Sequence, residues 1–197
     1  MLPQLFTGLG FILFFPIMLW AADINPQDFH NKLQALHLQQ IALYNIRTKE
    51  EIADYKGSSA AGYRYVDTHY YDTENGNLVS HIRRDGSKPE LIHIIEVNIY
   101  ENKKLVRDYG SITLPWAPLY PVRTYINLHH YDNQLHSFRQ YDVDGQVKFE
   151  FCEGSFAGKP VHISLDEGDI NAGSTTAEYK SCFDGASKNW SQFKIPH

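Results

Sequence analysis

After Gly62 the chain alternates between segments whose apolar residues recur at every second position and short clusters of Asn, Asp and Gly, and this alternation constrains the fold more than any other feature. Period two places successive side chains on opposite faces of a strand, and connections of a few residues force neighbouring strands to run antiparallel. The stretch from Val122 to Gly154 shows the pattern most plainly. Two segments fold back at Tyr131-Asp132-Asn133-Gln134, and a third folds back at Tyr141-Asp142-Val143-Asp144-Gly145. Related signals stand at Asn75-Gly76, Asp85-Gly86 and Asn102-Lys103, residues that adopt the positive φ of tight hairpins at low cost. The pattern predicts strands near residues 63–72, 78–83, 91–100, 105–113, 122–131, 135–141, 146–152 and 160–165, with a weak last one at 177–183.

On the strand after Pro121, Val122, Thr124, Ile126, Leu128 and His130 share one face, and Arg123, Tyr125, Asn127, His129 and Tyr131 share the other. A two-residue loop at Asp132-Asn133 sets His129 opposite His136. Val147, Phe149 and Phe151 read as the buried face of a later strand, which turns Cys152 away from the core. The exception to the pattern is Leu114-Pro115-Trp116-Ala117-Pro118-Leu119-Tyr120-Pro121. Its three prolines exclude it from a ladder, so it either caps one end of the core or walls a binding cleft.

Upstream of Gly62 the period is helical. Asn25-Pro26-Gln27-Asp28 combines a capping residue, a proline for the first helical position and an early acid. Phe29, Leu33, Leu36, Gln40, Leu43 and Tyr44 then recur at three and four residues, with Ile41 widening the stripe. Thr48-Lys49-Glu50-Glu51 has capping-box spacing and predicts a short second helix ending at Gly57, followed by a linker over residues 58–62. The expected fold class is α+β: an N-terminal helix and a short second helix packed on a mostly antiparallel, curved β-meander of about eight strands. Residues 23–197 form one domain in this reading, helical over 23–57 and sheet over 62–183, with a tail over 184–197.

Residues 1–22 contain no charged side chain and an apolar run from Leu9 to Trp20 followed by Ala21-Ala22, which reads as a secretory signal peptide. An uncleaved membrane anchor is the alternative. A leader implies an oxidising compartment, periplasmic or secreted, and there Cys152 and Cys182, the two cysteines, are expected to form a disulfide. The formal charge of -5 and the absence of any Lys/Arg cluster longer than two argue against a nucleic-acid partner. Membrane contact is expected only through an uncleaved leader.

No nucleophile elbow, phosphate-binding glycine loop or metalloprotease helix is present. The reading is therefore a non-enzymatic extracytoplasmic domain that binds an unknown protein or small ligand, with Trp116, Tyr120, Tyr125 and Tyr131 as its contact residues. Tyrosine and tryptophan present broad contact area at low entropic cost. The alternative is a metal-binding protein or metalloenzyme holding a transition metal on His129 and His136, with Tyr131, Asn127, His69 or His81 completing the site. His93 shares a face with Ile95, Val97 and Ile99 and reads as a hydrogen-bonded core histidine. Asp166-Glu167-Gly168-Asp169-Ile170-Asn171 lacks calcium-loop spacing and reads as an acidic turn.

Overall fold

The computed structural model describes residues 25–55, 62–170, 176–186 and 195. The expected leader, most of the linker and most of the tail lie outside the described residues. Asn25 opens helix α1 (Pro26–Leu43) by accepting the Gln27 backbone N–H at 2.9 Å, with Pro26 in the first turn. Nine strands follow: β1 (Ile46–Tyr55), β2 (Tyr63–Asp72), β3 (Leu78–Asp85), β4 (Ile92–Glu101), β5 (Lys104–Leu114), β6 (Ala117–Asp132), β7 (Leu135–Tyr141), β8 (Val147–Phe156) and β9 (Lys159–Asp166). Each pairs antiparallel with the next in chain order, so the sheet is an open meander from β1 to β9. Helix α2 (Ala177–Phe183) comes last. Among the described residues no helix is long and apolar enough to cross a membrane.

The stripe of α1 meets the sheet as its spacing implies. Phe29, Leu33 and Leu36 are buried against Ile82, Ile95, Val97, Tyr109, Ile126 and Leu128, and Ile195 closes the same cluster. Two histidines complete the stripe. His30 and His37 are buried, and their Nδ1 atoms hydrogen-bond Ser111 Oγ at 2.9 Å and Ser80 Oγ at 2.8 Å, which ties the helix to β5 and β3. The far end of the stripe does not pack: Leu43 is 73% exposed.

Helix α2 covers the other half of the same face. On β7, Leu135, Ser137, Arg139 and Tyr141 are all buried and alternate with half-buried neighbours, so the Leu135 end under α2 and the Tyr141 end in the α1 cluster lie on one side of the sheet. Thr176 caps α2 by accepting the Tyr179 N–H at 3.1 Å, and Tyr179, Cys182 and Phe183 are buried. Arg139 Nε donates to Glu150 Oε1 at 2.6 Å, Tyr179 donates its hydroxyl to Glu150 Oε2 at 2.7 Å, and the Arg139 guanidinium lies 4.9 Å from the Phe183 ring centre. The Cys152–Cys182 disulfide pins the helix covalently; closing a 30-residue separation contributes about 3.5 kcal/mol in the chain-entropy treatment.

Several expectations are corrected. Residues 46–55 form strand β1 rather than a second helix: ten consecutive ladder pairs with β2 satisfy the backbone, and tertiary pairing overrides the helix propensity of Lys49-Glu50-Glu51. Its density of charge suits an edge strand, where charges discourage pairing with other chains. Residues 177–183 are helix, not strand, and the buried positions 179, 182 and 183 carry helical spacing. The proline-rich segment joins the ladder: Leu114 pairs with Ala117 and Thr113 with Pro121, with register shifts that let the prolines sit in β6. Cys152 faces the core, because Glu150 and Cys152 are the buried residues of β8 and Phe149 and Phe151 lie on the opposite side. The β6–β7 loop is Asn133-Gln134, so Tyr131 pairs with His136 and His129 with Phe138. Asn133 supplies the positive φ, 51°.

Candidate functional site

The face of the sheet away from α1 and α2 carries polar and aromatic side chains in two hydrogen-bonded networks. In the first, His81 donates from both ring nitrogens to two carboxylates, Nε2 to Asp67 Oδ1 at 2.8 Å and Nδ1 to Glu96 Oε2 at 2.9 Å. Arg83 clasps Asp67 through Nε and Nη2, both at 2.8 Å. Burial opposes the charge on His81, yet the hydrogen bonds and charges of Glu96 and Asp67 outweigh it and raise the imidazole above its usual range. Tyr125 reaches Glu96 Oε1 at 2.6 Å by laying its ring across Gly110, where a Cβ would stand 2.1 Å from Tyr125 Cζ. Burial first, and then the Glu96 carboxylate, pushes that phenol far up, so it stays protonated.

In the second network His129 Nε2 lies 2.6 Å from Asp108 Oδ2, and its Nδ1 lies 2.9 Å from His136 Nε2. Asn127 donates to Asp108 at 2.8 Å, Gln140 to Asn127 at 3.1 Å, and Arg123 to Gln140 at 2.9 Å. Tyr131 stacks on His136 with ring centres 4.6 Å apart, and Lys104 holds its ammonium 5.1 Å from the Tyr131 ring centre. Burial and then His129 lower the His136 pKa. The structure thus brings His129 and His136 together, as diagonal rather than facing neighbours. Both nitrogens of His129 are already engaged, and among the described residues no group of three or more His, Cys, Asp or Glu is arranged to hold a metal ion. His69 stacks on His81 at 4.5 Å and joins the other network instead.

The four expected contact residues fall in two places. Tyr125 and Tyr131 stand on the middle and far end of β6, engaged with Glu96 and His136. Trp116 and Tyr120 lie at the tip of the β5–β6 hairpin, and eleven residues of extended strand put Tyr131 roughly 35 Å beyond Tyr120. At the tip Trp116 is 71%, Leu119 63%, Tyr120 73% and Val122 54% exposed. Four large apolar side chains within seven residues thus stand in contact with water, and none of them belongs to either core cluster.

Beside the tip is a cleft of about 250 Å³ lined by Tyr63, Tyr65, Arg83, His93, Ile94, Ile112, Thr113, Leu114, Pro115 and Trp116. His93 reaches it because of a bulge. Arg83 pairs with Ile94 and Arg84 with Ile92, which leaves His93 unpaired between them and packed edge-on against Tyr65 at 5.4 Å. It is therefore buried, as expected, but taken out of the face that Ile95 and Val97 present to α1. Nothing in the alternation of residues 91–99 announces the bulge. Comparison with protein-family models, with curated proteins and with solved structures finds no match to this chain.

Proposed function

We propose that this chain is a non-enzymatic extracytoplasmic binding domain that holds a protein partner through the tip of its β5–β6 hairpin. The observation that carries the reading is the exposure of Trp116, Leu119, Tyr120 and Val122 together. Contact surfaces concentrate their binding energy in aromatic anchors of this kind. The acids and bases of the two polar networks support a structural part for those networks, since they spend their hydrogen bonds on one another. The Cys152–Cys182 bond supports an oxidising compartment. Tyr125 and Tyr131 serve the scaffold in this reading, and recognition rests on Trp116 and Tyr120.

A photo-crosslinking amino acid at position 120, introduced in the cell that makes the protein, tests the proposal against the same probe at position 50 on the exposed edge of β1. The expected result is one dominant adduct from position 120 that is absent from position 50 and lost on Trp116→Ala. Identical adducts from both positions, or none from position 120, would overturn it.

A further inference from the structure

We propose that strand β9 pairs edge to edge with β9 of a second copy of this chain, antiparallel and with Ser164 on the two-fold axis. Among the described residues β1 and β9 are the two ends of the sheet. β1 carries Lys49, Glu50 and Glu51 exposed along its length, whereas residues 160–165 of β9 include no charged side chain. An edge without such charges is a template for another strand. Turn geometry fixes which backbone groups it offers. Ala157 and Gly158, with φ of 51° and 76°, form a two-residue loop, so Phe156 and Lys159 exchange both of their backbone hydrogen bonds. The pairing continues without a register shift to Asp166; Val161, Ile163 and Leu165 therefore bond β8, while His162, Ser164 and Asp166 aim N–H and C=O outward. Pro160 also points outward but has no N–H, which limits the usable edge to the residues after it. Asp166 O accepts the Asp169 N–H at 2.8 Å and keeps a second lone pair.

A second copy is the occupant because this edge complements itself. With Ser164 on the axis, the outward backbone groups of His162 meet those of Asp166 in the second copy, those of Asp166 meet its His162, and Ser164 meets Ser164. The side chains agree on both faces. On the outer face, where His162 packs edge-on against Phe151 at 5.5 Å, an exposed imidazole lies opposite an exposed carboxylate twice. On the face that α2 covers, half-buried Ile163 lies opposite Leu165 twice, which extends the cluster that both already pack against. Neighbouring registers lose this match. An axis on Leu165 sets Ile163 against Glu167, and an axis on Ile163 sets Asp166 against Pro160, which has no N–H to give.

Sedimentation velocity of the disulfide-bonded protein, over a concentration series reaching about 1 mM, tests this. A monomer–dimer equilibrium is expected. Ser164→Pro removes an N–H that aims away from β8, so it should weaken the dimer at least about tenfold while the unfolding temperature of the dilute monomer stays unchanged. His162→Asp should weaken the dimer by setting two carboxylates face to face, and Asp166→Lys should weaken it by removing the carboxylate opposite His162. The double variant His162→Asp/Asp166→Lys restores opposite charges across the axis and should recover the affinity of the parent. A protein that stays monomeric throughout the series, or a dimer that Ser164→Pro leaves unchanged, overturns the edge pairing. A double variant no tighter than either single one overturns the axis at Ser164. Loss of the dimer on Trp116→Ala would assign self-association to the hairpin tip and overturn the part given to β9.

Discussion

Replacing Arg139 by alanine is expected to destabilise the protein by about 3–5 kcal/mol, the cost of leaving a buried carboxylate without its partner. Arg139 and Glu150 are 4% and 1% exposed, face each other across β7 and β8, and lie beneath α2. The arginine also donates to Ala186 O at 3.3 Å, and Ser137 beside it donates to Cys182 O at 2.7 Å, so the network holds the helix as well as the pair. Removing the guanidinium strands Glu150 in a space that water does not reach. Urea unfolding measures the loss. Replacing both residues by apolar ones of similar volume is expected to recover much of it, because the pair stabilises by mutual compensation rather than by a large net gain. The exposed pair of Arg107 and Glu101, 3.0 Å apart with Glu101 62% exposed, provides the contrast; separating it is expected to cost less than about 1 kcal/mol. A loss under about 1 kcal/mol at Arg139 would contradict the buried geometry.

Between pH 7.5 and pH 5 the protein is expected to lose about 2 kcal/mol of stability through His37 alone. Burial, and secondarily the Arg84 guanidinium, pushes this imidazole down from 6.5 to about 4. A histidine with a depressed value in the fold must be neutral to fit, so its contribution is complete above pH 6.5 and drains as the pH falls toward 4. Burial lowers His30 in the same direction. His81 has the opposite sign, being raised, and its contribution changes above 6.5, where the unfolded group is already neutral. Asp67 and Glu96 are lowered from 3.8 and 4.5, so their contributions drain only below the pH 5 endpoint. His37→Asn keeps a nitrogen near Ser80 and removes the titration. Unfolding curves at the two pH values should show a pH loss smaller by about 2 kcal/mol in the variant; an equal loss in both would contradict the assignment.

The sheet was legible because its signals are local. Alternation and turn residues mark β2 and β7 at their observed bounds, since a hairpin needs nothing beyond Asn, Asp or Gly in the right place. Where long-range pairing decides, the sequence misleads. Residues 48–55 carry helix formers and capping-box spacing, and only the free edge of β2 makes them a strand. The apolar side of residues 147–152 suggested a core face, but the real cover is α2, which buries Glu150 and Cys152 because Arg139, Tyr179 and Cys182 meet them there. Period two still placed His129 and His136 on one face even though the loop was misplaced by one residue, because moving the loop shifts a pair without changing its side. His30 and His37 were overlooked, although their seven-residue spacing within the Phe29–Leu36 stripe could have placed them against the sheet. The cleft was not legible at all. It depends on two bulges, at Arg83/Arg84 and Ile112/Thr113, that bring His93 to Thr113.

The central claim is that the aromatic side chains at the hairpin tip are held out for a partner and take no part in holding the fold. The unfolding free energy of the Trp116→Ala/Tyr120→Ala double variant tests it most directly. The account predicts a value within about 0.5 kcal/mol of the parent, as for exposed substitutions that touch no core feature; a loss above about 3 kcal/mol, the scale of truncating a buried aromatic side chain, would contradict it.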